Sequence, residues 1–212
     1  MPALMKLFPP LVVLVLLAGC KAQKVEVHLI GDDLIAASTG HNLTTNFEAE
    51  IGEESTTIDD PKRAMIDRIT ALLPKYFPDA DQTVEIGGDA YSIRLAGSLP
   101  LADGRPADGT PWFVQARKST DGPGIVVSLE PSASYGNFKA EMQQIDAMIS
   151  PDEYHPLEFQ FTASSGTILV GGAMIDDKSV GIARIPMSGQ TVNMLFENGV
   201  WDETSGTFIY IP

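Results

Sequence analysis

Cysteine is nearly missing from this chain, with one residue, Cys20, among 212. A single cysteine makes no internal disulfide and cannot supply the several thiolates of a structural zinc site, so stability has to come from packing. Basic residues are also scarce: 14 Lys and Arg stand against 28 Asp and Glu, a formal charge of −14. That balance excludes nucleic acid as a partner, because affinity for phosphate backbones comes largely from Lys and Arg. There are three histidines, His28, His41 and His155, in separate segments. No G-x-S-x-G elbow, glycine-rich phosphate loop or paired-histidine zinc helix occurs, and no pattern asks for a cofactor. What is present is apolar content of 44%, enough for a sizeable core.

The first twenty residues read as a secretory leader. Lys6 supplies a positive start, Leu11 to Leu17 is an unbroken apolar run, and Ala18 and Gly19 close it. The run is flanked by Pro9, Pro10 and Lys21 and is shorter than the roughly 20 residues of a membrane span. Met5 makes an alternative start to Met1. The tetrapeptide Leu17-Ala18-Gly19-Cys20 resembles the lipobox of bacterial lipoproteins at every position. The resemblance implies diacylglyceryl transfer to the Cys20 thiol, cleavage before it and acylation of the new amino group. Residues 1–19 are then the signal peptide, 20–24 a lipidated tether and 25–212 the folded body. Four residues, Lys21 to Lys24, reach at most about 14 Å, which keeps the body close to the membrane. An acidic body is repelled by anionic lipid, so attachment falls to acyl chains, at about 0.8 kcal/mol per buried methylene. Lys21 follows the cysteine; by similarity to enterobacterial lipoproteins, the absence of Asp there favours the outer membrane over the inner.

In the body, Val25, Val27 and Leu29 alternate with Glu26 and His28 as in a half-buried strand, and Asn42 to Ile51 is a weaker strand candidate. Gly31 to Gly40 reads as a loop or short helical turn. A first helix starts at Asp60-Pro61, carries Met65, Ile66, Ile69, Leu72 and Leu73 on one face, and stops before Pro74. A second, Asn137 to Ile149, presents Phe138, Met142, Ile145 and Ile149 and ends at Pro151. Strands are predicted over Thr83 to Ile86, Tyr91 to Leu99, Trp112 to Lys118 and Ile125 to Glu130. More follow over Leu157 to Thr162, Thr167 to Met174, Val180 to Ile185, Val192 to Glu197 and Thr207 to Ile211. Asn198-Gly199 is a hairpin turn signal. The predicted fold class is α+β, antiparallel sheet with two principal amphipathic helices. Helix followed by hairpins occurs twice: aligning Val114–Glu130 with Gly181–Glu197 sets Ala116 on Ala183, Arg117 on Arg184 and Gly122 on Gly189. A duplicated unit with halves 25–131 and 132–212 is one reading, and chance similarity of periodic hairpins is the other.

Candidate chemistry is thin. A histidine could orient Ser164 or Ser165, although solvent-facing or hydrogen-bonding histidines are commoner, and His28 falls on the polar side of its strand. Asp32-Asp33, Asp59-Asp60 and Asp176-Asp177 offer oxygen ligands to calcium or magnesium but sit where turns and caps use Asp. Asp79 to Thr83 begins like a calcium loop, yet Val84 stands where glycine is needed and Ala90 where a bidentate Glu is needed. Asn42-Leu43-Thr44 matches a glycosylation sequon, uninformative behind a bacterial leader. Trp112 and Trp201 read as core packing, and Arg117 and Arg184 as neutralising nearby carboxylates. The expectation is a lipid-anchored, non-catalytic binding or scaffolding protein of the envelope, without cofactor or metal, its one assigned site residue being Cys20. The leader and compact body are similar to small envelope lipoproteins of phages and plasmids, which implies a role such as blocking entry of a competitor. The alternatives are a periplasmic hydrolase assembled only in three dimensions and a divalent-cation binder.

Overall fold

The computed structural model describes residues 22–54, 56–107, 109–147, 155–197 and 206–212. The leader, Cys20, Ile149, Pro151, Asn198-Gly199 and Trp201 lie outside these residues. Strand β1 (Ala22–Ile30) leads into helix α1 (Gly31–Ala37), β2 (Leu43–Glu53), α2 (Asp60–Tyr76), β3 (Asp81–Gly87), β4 (Ala90–Ala102), β5 (Trp112–Lys118) and β6 (Ile125–Pro131). Helix α3 (Tyr135–Ile145) then precedes β7 (Leu157–Thr162), β8 (Thr167–Ile175), β9 (Lys178–Pro186), β10 (Thr191–Phe196) and β11 (Thr207–Ile211).

These strands do not make an α+β sheet under two principal helices. Of the described residues 51% are strand and 20% helix, and nine strands close a barrel in the order β10-β7-β1-β2-β4-β5-β6-β11-β8. Pairing of β8 with β10, Met194 opposite Ile175 and Leu195 opposite Met174, completes the ring. β3 and β9 stand outside it, each bonded to one ring strand. The predicted class fails because it treats strands as locally paired hairpins. Two ring contacts are parallel: β1 with β7, which joins Val25 to Leu157, and β4 with β5. Such long-range pairings leave no local trace in a sequence. Residues of both suggested halves build the same ring, with β5 and β6 paired to each other while β9 pairs with β8 and β10 with β7 and β8.

Closure follows from the period-2 alternation, which gives each strand of the ring an apolar inner face. Val27, Leu157, Phe159, Phe161, Met194 and Phe196 are fully buried. Phe159 meets Phe208 at 5.4 Å between ring centres, and Phe161 meets Tyr210 at 4.9 Å. β7 and β11 are not neighbours in the ring, so these contacts cross the lumen and fill it. In β8 the inner positions shift from Ile168 and Val170 to Ala173. The shift occurs at Gly172, whose φ of +64° is a turn in the strand that glycine alone adopts without cost.

The helices clamp the side of this barrel. α2 begins one residue earlier in its capping than the sequence suggests: Asp59 Oδ1, not Asp60, accepts the Lys62 amide at 2.9 Å. Nor does the helix stop at Pro74; it runs on to Tyr76. Pro74 brings no N–H for the Thr70 carbonyl, and Gln82 Nε2 reaches that carbonyl instead at 3.4 Å. α3 ends at Ile145, short of the predicted Ile149, and Arg68 of α2 donates to the carbonyls of Gln144 and Ile145 at its end. Phe138 of α3 packs edge-on against Tyr76, Phe77 and Trp112 at 5.0, 6.0 and 5.4 Å, which gives Trp112 the core role predicted for it.

Candidate functional site

With the lumen occupied by side chains, the groups able to meet a ligand lie on the outside of the barrel. There, cross-strand register arranges the polar-phase residues in rows. One row runs Glu158, Glu26, Glu48, Ala96, Asp81 across β7, β1, β2, β4 and β3. The row beside it runs Lys24, Glu50, Arg94, Thr83. All of these residues except Glu158 line a groove of about 390 Å³.

Like charges directly opposite one another destabilise a sheet by some tenths of a kcal/mol, roughly. The register relieves this with intervening cations. Lys24 Nζ lies 2.7 Å from Glu26 and 2.6 Å from Glu158, joining carboxylates of neighbouring strands. Partial burial works against its charge, but the hydrogen bonds to Glu158 and Glu26 outweigh that and raise its pKa above the usual lysine value. Glu26 also takes the His28 ring at 3.3 Å and the Gln160 amide. Arg94 Nε stands 3.5 Å from Glu50, which accepts from Ser92 Oγ. Glu48 and Asp81 make no ion pair within the described residues. The surface suits recognition by charge and hydrogen bonding. These rows of acidic and basic side chains face outwards, where a barrel that spans a bilayer presents apolar side chains.

The individually named candidates are dispersed. His28 is on the outer face of β1, as its alternation predicts; His41 is exposed beyond α1, its Nδ1 3.1 Å from the Ala36 carbonyl oxygen; His155 is buried just before β7. His155 and the serines Ser164 and Ser165 flank opposite ends of β7, whose six residues span about 17 Å at 3.3 Å per step. Asp32 and Asp33 occupy the first turn of α1, Asp59 and Asp60 start α2, and Asp176 and Asp177 form the β8–β9 turn with φ of 45° and 65°. Among the described residues no group of three or more His, Cys, Asp or Glu is placed to hold a metal ion. Arg117 and Arg184 do not neutralise carboxylates: neither has an ion pair within the described residues. They end a different outer row, Arg117, Val126, Ile209, Leu169, Arg184.

No protein-family profile matches the chain. A search of curated proteins finds no significant relative either. No described helix is long and apolar enough to cross a membrane. Sequence reasoning missed the carboxylate rows because their members come from positions 26, 48, 81 and 158. The available signal was the phase of the charges: Glu26, Glu48, Glu50 and Glu158 all occupy the polar positions of alternating strands.

Proposed function

We propose that this chain is an envelope lipoprotein, anchored through Cys20, whose barrel acts as a binding module through its outer surface. The observation that carries the binding part is the pair of aromatic contacts across the lumen, Phe159–Phe208 and Phe161–Tyr210, because a filled barrel offers ligands its exterior only. The lipobox supports the anchoring part. β1 begins at Ala22, so Lys21 alone separates Cys20 from the barrel and the start of β1 is held at the lipid surface. Acyl chains on that cysteine give a stable, non-spanning attachment. The charged rows on β7, β1, β2 and β4 supply the chemistry for a polar partner.

The test joins both parts. Cells expressing the full chain are fed a clickable palmitate analogue, with a photo-crosslinking residue placed at Glu48 on the outer face. Labelling of the wild type and its loss in Cys20→Ser, together with a discrete crosslinked adduct from Glu48, are the expected results. Equal labelling of Cys20→Ser removes the anchor. Turnover of an ester, phosphate, peptide or glycan that disappears on changing His28, His41 or His155 to Ala replaces the binding module with a hydrolase.

A further inference from the structure

Two strands stand outside the closed ring, and their exposed edges carry opposite charge. Within the described residues β3 pairs only with β4 and β9 only with β8, so each leaves one row of backbone donors and acceptors without a strand beside it. β3 contains Asp81 and Glu85 and no basic residue; β9 contains Lys178 and Arg184 and no acidic one. None of these four has an ion pair within the described residues, and all four are exposed. Exposed aliphatics accompany them: Val84 and Ile86 on β3, and Ile182, 90% exposed, at the middle of β9. Open edges of this kind template pairing with another chain.

We infer that β3 of one copy of this chain pairs antiparallel with β9 of a second copy. Setting Arg184 opposite Asp81 puts Ile182 opposite Thr83. On the other face of the ribbon, the small residue Ala183 then receives Gln82. Arg184 gains an anion, and no like charges oppose each other. Self-pairing lacks this complementarity: β3 against β3 gathers four carboxylates, β9 against β9 four cations, each in a two-stranded ribbon where like charges are unfavourable.

Strand sense agrees, and here the inference rests on the anchoring proposed above. With β1 taken as pointing away from the membrane, the pairings make β2 point towards it, β4 away and β3 towards. Continuing through β5, β6 and β11, the first half of β8 points towards the membrane and the end of β9, Ile182–Pro186, away from it. Copies standing on one membrane therefore present β3 and the end of β9 in opposite senses, as antiparallel pairing of Asp81 with Arg184 and of Thr83 with Ile182 requires; the start of β9, which follows the second half of β8 and through it β10 and β7, has the sense of β3 and takes no part. Because the two edges belong to different surfaces, the contact is heterologous. It joins bodies side by side into a row or a closed ring.

The test uses the full chain in its own membrane, in two differently tagged copies, one with Thr83→Cys and one with Ile182→Cys, under mild oxidation. Mixed disulfide dimers are expected in the doubly expressing cells, with little product from either copy alone. Arg184→Glu introduced beside Ile182→Cys is expected to lower the mixed yield several-fold, and Asp81→Lys beside Thr83→Cys to restore it. Absence of the mixed product, a stronger Ile182→Cys homodimer, or indifference to Arg184→Glu overturns the pairing. Palmitate labelling of the same samples reports on Cys20 separately, so loss of the anchor is told apart from loss of the contact.

Discussion

Gly166 sits in the β7–β8 connection with φ of +105°, and a Cβ built there falls 2.5 Å from the Ile211 carbonyl oxygen and 2.7 Å from the Tyr210 ring. The ring is held in place by its hydroxyl, which donates to the Ser165 carbonyl at 3.0 Å. Burial, and then the nearby charge of Asp32, push the Tyr210 pKa up and keep that hydroxyl a donor. Gly166→Ala is expected to destabilise the protein by more than about 1 kcal/mol, because backbone strain and contact act together. Thermal denaturation of the purified protein measures it; an unchanged midpoint contradicts the geometry. Gly166 falls between the strands expected over Leu157 to Thr162 and Thr167 to Met174, and nothing local marks it as a close contact, since Ile211 and Tyr210 reach it from the far end of the chain. His28 is the opposite case: its exposure on the outer face was legible from the neighbours Val27 and Leu29 alone.

At the scale of elements, α2 and α3 are joined by a charged clasp. Lys75 Nζ lies 2.5 Å from Glu141 Oε1, and Tyr76 donates its hydroxyl to the same oxygen at 2.9 Å. The hydrogen bonds from Lys75 and Tyr76 hold the Glu141 carboxyl below its usual range, and the bond to Glu141 raises Lys75 above 10.5. A carboxylate lowered on folding stabilises above its unfolded pKa and ceases to do so as pH falls through the folded value. A lysine raised on folding stabilises below its unfolded pKa and loses this as pH rises through the folded value. The clasp is therefore complete at neutral pH and weakens at both extremes. The difference in thermal midpoint between wild type and Glu141→Gln is expected to be present at pH 7 and to vanish in acid; a constant difference would show that the clasp is not ionic. Both helices were legible from their apolar spacing. Their pairing was not, because Lys75 and Glu141 are 66 positions apart and a surface charge reads the same whether or not a partner faces it.

The whole molecule depends on closure. β1 needs β7 on one side, and β6 needs β11, so a fragment of residues 25–131 would expose two long strand edges and lose the Phe159–Phe208 core. It is expected to be unfolded or aggregated, by circular dichroism and amide dispersion, where the full body gives a cooperative transition; a folded fragment would restore the picture of two independent halves. Alternation and turn residues locate nearly every described strand within a few positions, because a strand's inner face must be apolar whatever it packs against. The proposed lipobox rests on a local pattern too, the four adjacent residues Leu17 to Cys20. Which strands meet is another matter. Val25 joins Leu157, and Glu26 comes to lie in a row with Glu48, Asp81 and Glu158. Those choices depend on how the apolar faces close around one lumen and on where Gly172 turns β8. Local residue preferences therefore determined the elements and their inward faces, while the barrel, its charged rows and its two open edges were decided by contacts between residues far apart in the chain.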